Sequence, residues 1–385
     1  MTTFAHRRER AATAKTHSAP RLAALDGLRL LAALMVVAYH YTYRAPGPWD
    51  QRTADVFSDT TSITAYGWLG VHLFFVISGF VICMSAWGRG LRPFVASRAA
   101  RLLPAYWFAV LTTATVVALV DVGHPVPPIS RVLVNLTLLQ TPLGIANIDG
   151  VYWTLWVEVQ FYALFSLVVW RGLSYRRVVT FCLAWTLASV AAALTSNSAV
   201  IALVGADSSC FFVAGVSLFL IYQFRPTILL VTMVVASWAL GLWRVAPTVE
   251  YVGTLGSHPL SWSWVVTVVT AIFAVMAMVA MRLLSWVRGG WLTVAGALTY
   301  PLYLLHQEIG YAFIARLHGV IPRWPLTVGL VLAMLGVAWL VHRFVERPMA
   351  PLIKRWSTRS LAEFARGGSA EGRATEEDHP HSAAK

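Results

Sequence analysis

The sequence carries little charge for its length. Only 12% of its 385 residues are Asp, Glu, Lys or Arg, whereas 58% are hydrophobic. Soluble domains carry about 25% charged residues, so this composition excludes an ordinary soluble protein and predicts a polytopic membrane protein. Acidic residues are the scarcer of the two signs, with 17 Asp and Glu against 30 Lys and Arg.

Cysteine is also scarce. Cys83, Cys182 and Cys210 all lie inside apolar segments. Three such thiols indicate neither a disulfide framework nor a metal site. Histidine and carboxylate side chains within the apolar segments do not occur in pairs at ligand spacing on one helix, so we predict no metal.

The basic residues lie in the connections between apolar segments. A net charge of +13 therefore does not predict nucleic-acid binding, which requires one concentrated patch. The positive-inside rule explains the pattern better and places the arginine-rich connection GRGLRPFVASRAAR on the cytoplasmic side. Both termini are then expected in the cytoplasm, as a basic tail at 1–25 without a signal peptide and a mostly disordered tail at 347–385.

Apolar runs of about 20 residues predict about ten transmembrane helices within one membrane domain at 26–346. The expected fold is an all-α helical bundle in a cell membrane. The composition, rich in Ala, Val, Arg and Leu, is typical of a GC-rich bacterium. We therefore expect the protein in the bacterial cytoplasmic membrane. The segment at 131–140 is too short to span, so we expect an interfacial or re-entrant piece. The predicted spans are 27–44, 66–86, 103–121, 151–170, 178–195, 200–223, 227–245, 262–282, 292–313 and 326–344.

Four ionisable side chains lie inside separate predicted spans, roughly 6–11 Å below the outer boundary: His40, His72, Glu158 and His306. Such residues usually face a bundle interior and have a function. We expect His40 to act as a general base with Glu158 as its carboxylate partner. The alternatives are a packed, hydrogen-bonded histidine, and a Glu158 that bonds only to a neighbouring helix. His72 and His306 carry weaker signals.

Three arginines lie at the cytoplasmic ends of the predicted spans. Arg29 shares a helix face with His40, about 16 Å away along the axis, and Arg98 and Arg101 share a face at i and i+3. Arginine binds phosphate through two parallel hydrogen bonds, so the three predict a pyrophosphate or nucleotide clamp. They are alternatively ordinary positive-inside anchors.

Five strings in order along the chain resemble the acyltransferase 3 family of integral membrane acyltransferases. They are LDGLRLLAALMVVAYH, GVHLFFVISGFVI, SRAARLLPAYW, YWTLWVEVQFY, and LTYPLYLLH with VERP. The resemblance implies transfer of an acyl group, commonly acetyl, from cytoplasmic acyl-coenzyme A to a hydroxyl. The implied acceptor is a carbohydrate or lipid-linked glycan, or a macrolide-like metabolite.

The resemblance also implies roles for individual residues. His40 becomes the catalytic base and Glu158 the supporting acid, with the coenzyme phosphates on Arg29, Arg98 and Arg101; Tyr303 and His306, in LTYPLYLLH, are further candidates. The chain departs from the family pattern at His72, often acidic, at Val159, often a second glutamate, and at Thr154, often serine. Two other functions stay open: a proton-coupled transporter and a silent scaffold.

Overall fold

The computed structural model describes residues 22–45, 47–120, 125–256 and 259–357. The predicted tails lie mostly outside these ranges, as residues 1–21 and 358–385. Within the described ranges the chain is helical and contains no strand. Nine helices there are long and apolar enough to cross a membrane, and a shorter apolar helix, Gly290–Leu305, continues into a second short helix to make a tenth. The predicted all-α membrane bundle is confirmed.

The helices are numbered in chain order, leaving out the single turns between residues 53 and 69. They are α1 Ala23–Thr42, α2 Gly70–Ala86, α3 Leu91–Leu119, α4 Ile129–Leu136, α5 Trp153–Trp170, α6 Tyr175–Leu194, α7 Ser198–Val204, α8 Ser209–Gln223, α9 Ile228–Leu255, α10 Trp262–Ala280, α11 Gly290–Leu305, α12 Gln307–Leu317 and α13 Arg323–Val341.

Three helices extend ten or more residues beyond the predicted spans. Helix α3 begins at Leu91 rather than near residue 103, so Arg98 and Arg101 lie on its first turns and not in a loop. Helix α9 reaches Leu255, ten residues past its predicted end. Helix α13 passes through a π-helical turn at 342–346 and then continues to Ser357, inside the predicted C-terminal tail.

Helix α4 confirms the predicted short segment. Its eight residues rise only about 12 Å, against a hydrocarbon core about 30 Å thick. It is fastened to α3 because the Tyr106 hydroxyl donates to the Asn135 carbonyl at 2.7 Å and the Trp107 indole donates to the Leu136 carbonyl at 3.0 Å. The Asn135 side chain in turn bonds to the loop that leads into α5.

Helices α2 and α8 form the closest pair in the bundle. A Cβ added at Gly79 would lie 2.2 Å from the Phe212 carbonyl oxygen, and one added at Gly215 would lie 2.0 Å from that of Val76. Small residues permit such close approach of two membrane helices. The contact fixes α2 on one side and leaves Ser78, next to Gly79, free to face the cavity described below.

The crossing formed by α11 and α12 is interrupted at His306, between the two helices. His306 Nδ1 donates a hydrogen bond to the Tyr303 carbonyl at 2.7 Å. The backbone N–H of Glu308 donates to the buried Asp149 carboxylate at 3.1 Å. Both contacts divert groups from the i→i−4 ladder, which is a recognised cause of helix breaks. Asp149 and His306 therefore determine where α12 begins.

Candidate active site

A cavity of about 130 Å³ lies between α1, α2, α3, α5 and α11. It brings together all three predicted arginines with Glu158 and Tyr303. The remaining wall is largely apolar and aromatic and includes five further hydroxyl-bearing side chains. The polar and charged residues that line it are Arg29, Ser78, Arg98, Arg101, Thr154, Glu158, Tyr162, Thr299, Tyr300 and Tyr303.

Buried carboxylates hold two of the arginines. Arg29 Nη1 lies 3.5 Å from Asp26 Oδ1, and Arg101 Nη1 lies 3.6 Å from Glu346 Oε1. The Arg101 guanidinium also lies over the Tyr300 ring, 5.3 Å from its centroid. Each guanidinium keeps further N–H donors beyond these contacts, because arginine has five. The cavity thus holds cations that are oriented but still able to bind an anion.

Sequence reasoning missed both carboxylates. Asp26 lies three residues before Arg29, and one helical turn brings the two side chains together. A Cβ at Gly296 would meet the Asp26 carboxylate at 2.4 Å, so α11 approaches α1 closely at this point. Glu346 belongs to the string VERP, and its position as the last residue of the π-helical turn after α13 was not deducible from the pattern. The i, i+3 spacing of Asp26 and Arg29 in the sequence was a signal for the first of these ion pairs.

Glu158 lies with the arginines rather than with His40. Its Oε1 accepts a hydrogen bond from Ser78 Oγ at 2.7 Å and another, short one from the Tyr162 hydroxyl. Among the described residues no hydrogen bond joins Glu158 to His40. The structure therefore places the two halves of the predicted His40–Glu158 pair in different surroundings.

The partner of His40 is His306. His306 Nε2 lies 3.2 Å from His40 Nδ1, and the two rings meet edge to face with centroids 5.0 Å apart. Both side chains are enclosed, with His306 fully buried and His40 8% exposed. Helix α1 contributes one ring and the break between α11 and α12 contributes the other.

The backbone fixes the proton positions of this pair. His40 Nδ1 lies 2.8 Å from the Val36 carbonyl, and His306 Nδ1 lies 2.7 Å from the Tyr303 carbonyl. A carbonyl oxygen only accepts, so each Nδ1 carries a proton, and in neutral rings each Nε2 is then an acceptor. His40 Nδ1–H is shared between the Val36 carbonyl and His306 Nε2. His40 Nε2 keeps its lone pair and has no hydrogen-bond partner in the described part of the chain.

Two tyrosines hold the backbone around the histidine pair. The Tyr41 hydroxyl donates to the His306 carbonyl at 2.7 Å, and the Tyr311 hydroxyl donates to the His40 carbonyl at 3.2 Å.

Tyr303 lies between the histidine pair and the cavity. It lines the cavity, and its ring centroid lies 5.7 Å from that of His306. Its hydroxyl bonds to Thr154 Oγ1 at 3.0 Å.

His72 is separate from both groups. It is surrounded by aromatic rings, with the Phe211 centroid at 4.4 Å and the Trp68 centroid at 5.4 Å, and its Nδ1 has no hydrogen-bond partner in the described chain. It does not line the cavity.

Across the described ranges, no three His, Cys, Asp or Glu side chains are grouped as a metal site would require.

Comparison with known proteins identifies the family of the chain. The family model of the acyltransferase 3 type, described as an acyltransferase domain, matches residues 22–343. The chain is 26% identical over 379 residues to "Acyltransferase MdmB" of Streptomyces mycarofaciens, covering 87% of this chain and 93% of that protein. No solved structure matches the chain. The family match spans most of the helical bundle and all of the candidate site except Glu346, and the chain therefore belongs to the acyltransferase 3 family of acyltransferases.

Proposed function

We propose that the protein is a membrane O-acyltransferase of the bacterial cytoplasmic membrane. It transfers an acyl group, acetyl in the simplest case, from cytoplasmic acyl-coenzyme A to a hydroxyl of a carbohydrate or lipid-linked glycan of the cell envelope. The observation that carries this proposal is a cavity lined by three arginines and Tyr303, with the Tyr303 ring centroid 5.7 Å from that of His306, which contacts His40.

The arginines are proposed to bind the phosphates of the donor. Arg29, Arg98 and Arg101 face one cavity, and guanidinium groups recognise phosphate through paired, charge-assisted hydrogen bonds. The rise of about 16 Å along α1 from Arg29 to His40 is comparable to the length of the pantetheine arm. Glu158 is proposed to act on the donor within the cavity, since it lies beside Ser78 and Tyr162 and away from His40.

His40 is proposed to be the general base. Its Nε2 takes the proton of the acceptor hydroxyl while that oxygen attacks the thioester carbonyl carbon. The carbon–sulfur bond then breaks, and the coenzyme A thiolate takes the proton back from His40 Nε2. His306 is a positioning residue in this scheme, because its Nε2 accepts a hydrogen bond from His40 Nδ1–H together with the Val36 carbonyl and so orients the ring of the base.

A proton-coupled transporter is the second candidate, and the enclosed histidine pair is the observation that favours it. The two functions differ in covalent chemistry. Only the enzyme releases coenzyme A thiol in proportion to acceptor that becomes acylated, whereas a transporter moves its substrate unchanged.

The test is thiol release from acetyl-coenzyme A by purified protein in lipid nanodiscs, alone and with cell-envelope glycans or a macrolide-like alcohol. We expect acceptor-dependent release by the wild type, its loss in His40→Ala, and its retention in His318→Gln, a histidine that follows the C-terminal end of α12, lies beside Asp50 and does not line the cavity. Both variants should still bind coenzyme A. Absence of both thiol release and coenzyme A binding in the wild type would overturn the proposal in favour of transport.

A further inference from the structure

A second, larger cavity of about 520 Å³ lies at the ends of α1, α8, α10 and α11 that are predicted to face the cytoplasm. It is distinct from the arginine cavity, although both border α1 and α11. Ala24 lines this one and Arg29 lines the other, and five residues of helix turn through about 500°, so they face different sides of α1. The proposed acyl transfer uses no residue of this second cavity.

Two arginines line the second cavity and are held in place. The Arg282 guanidinium lies over the Tyr222 ring, 4.4 Å from its centroid, and donates to the Tyr222 carbonyl at 3.1 Å. Arg282 also has a left-handed backbone with φ of 62°, which is uncommon for a residue with a side chain. Arg288 Nε donates to the Ser285 carbonyl at 3.2 Å. Both guanidiniums keep further donors for a ligand.

Nothing acidic among the described residues lines this cavity to neutralise the arginines. Helices α1 and α11 both begin at its wall, and neither has a side-chain cap, since their N-cap residues are Leu22 and Gly289. Helix N-termini carry partial positive charge and unpaired N–H groups. At Gly290 an added Cβ would meet no atom within 4 Å, so the backbone there is open to a ligand. All of these features favour an anion.

The loop beside the cavity indicates that this anion is attached to a lipid. Four large apolar side chains project from this loop and the first turn of α11, with Trp286 74% and Trp291 68% exposed and Met281 and Leu283 more than half exposed. Exposed tryptophans are typical of the membrane interface, at the level of the lipid headgroups. The cavity therefore lies where headgroup phosphates are, with apolar side chains placed to contact acyl chains.

We propose that this cavity binds the phosphate-bearing headgroup of an anionic phospholipid of the cytoplasmic leaflet. Arg282 and Arg288 contact the headgroup oxygens, and the acyl chains run along Trp286 and Trp291. Because α1 also carries Arg29 and His40, a lipid bound here ties the start of the site-bearing helix to α8, α10 and α11.

The test is native mass spectrometry and thermal unfolding of the purified full chain with phosphatidylglycerol or with phosphatidylcholine. The wild type should retain phosphatidylglycerol preferentially and unfold at a higher temperature in its presence. Arg282→Ala/Arg288→Ala should weaken that binding roughly tenfold or more, since two arginines near a phosphate are removed. The matched control is Arg176→Ala/Arg225→Ala, which removes two exposed charges on the same predicted membrane side, outside both cavities, and should change binding less than about threefold.

Arg288→Gln provides a second variant should the double substitution fail to fold, because the side-chain hydrogen bond of Arg288 within the described ranges stays inside its own loop. Equal loss of lipid in the variant and the matched control would overturn the proposal, since it would show a general surface charge effect. Inorganic phosphate forms the third arm. If it stabilises the wild type as well as phosphatidylglycerol does, the site recognises free phosphate and the lipid assignment is wrong. None of the three arms depends on acyltransferase activity.

Discussion

The arginine cavity and the histidine pair are built on opposite principles. In the cavity, charged groups are oriented by other charges, as Arg29 is by Asp26 and Arg101 is by Glu346. At the histidine pair, backbone carbonyls and tyrosine hydroxyls fix two neutral rings. The difference indicates a division of labour, in which the first region supplies electrostatic binding of an anion and the second supplies a defined tautomer. Changes in the two regions should therefore affect different kinetic quantities.

The largest effect is expected in the cavity, from Arg98→Ala/Arg101→Ala. Each lost hydrogen bond to a charged group is worth about 1.5–3 kcal/mol, so the KM for acetyl-coenzyme A should rise roughly 100-fold or more with a smaller change in kcat. Steady-state thiol release measures both constants. Acetyl-pantetheine, which lacks the nucleotide phosphates, provides the control substrate, and its turnover should be nearly the same in variant and wild type. Equal losses with both substrates would contradict a phosphate-binding role.

The reciprocal test is at the histidine pair, with His306→Leu and His306→Gln. Leucine removes one of the two acceptors of His40 Nδ1–H and leaves the Val36 carbonyl, whereas the glutamine amide oxygen restores an acceptor close to the position of Nε2. We expect kcat to fall about 10- to 100-fold in His306→Leu, with partial recovery in His306→Gln and an unchanged KM for acetyl-coenzyme A. Equal activity of the leucine and glutamine variants would show that His306 serves packing alone.

A smaller effect is expected from Glu346→Gln, which keeps the size of the side chain and removes its charge. Arg101 then loses its carboxylate partner and is less well held over Tyr300. An ion pair that is partly exposed is worth up to about 1 kcal/mol, so the KM for acetyl-coenzyme A should rise up to about fivefold. Acetyl-pantetheine turnover should again be unaffected. A fall in kcat with both substrates would instead indicate that the π-helical turn of α13 supports the histidine region.

The arrangement of the cavity was largely accessible from the sequence. The apolar spans, the common face of Arg29 and His40, and the i, i+3 spacing of Arg98 and Arg101 follow from helical periodicity. Convergence of the three arginines at one end of the bundle follows from the positive-inside rule. Local rules of this kind apply wherever the functional groups lie on uninterrupted helices and at their ends.

The histidine pair was not accessible in the same way. His306 was a candidate, but its contact with His40 spans 266 residues and depends on a helix break made by the His306 side chain and Asp149. The predicted pairing of Glu158 with His40 has no counterpart in a hydrogen bond between them among the described residues. Counting residues from a span boundary estimates depth along the membrane normal, but it does not determine which neighbouring helix a side chain faces. Pairing Glu158 with His40 assumed that similar depth means contact.

Asp149 provides the mildest test of how the histidine region is held. It lies just before the membrane-spanning segment Gly150–Trp170. Its carboxylate accepts from the backbone N–H groups of Val151 and Glu308, both at 3.1 Å. Burial, followed by the nearby Glu308 carboxylate, raises the pKa of Asp149 above its ordinary value, although these two N–H groups lower it in part.

A carboxyl group whose pKa is higher in the folded than in the unfolded chain stabilises the fold while it is protonated. Its contribution is fully present below the unfolded pKa of about 3.9 and is lost as the pH rises through the higher folded value. The wild type should therefore melt at a lower temperature at pH 8 than at pH 5, and Asp149→Asn should show a smaller difference. Glu250→Gln, an exposed carboxylate replaced on α9, should behave as the wild type. Scanning fluorimetry in detergent measures all three, and an unchanged pH dependence in Asp149→Asn would show that the break at His306 is held without regard to the charge of Asp149.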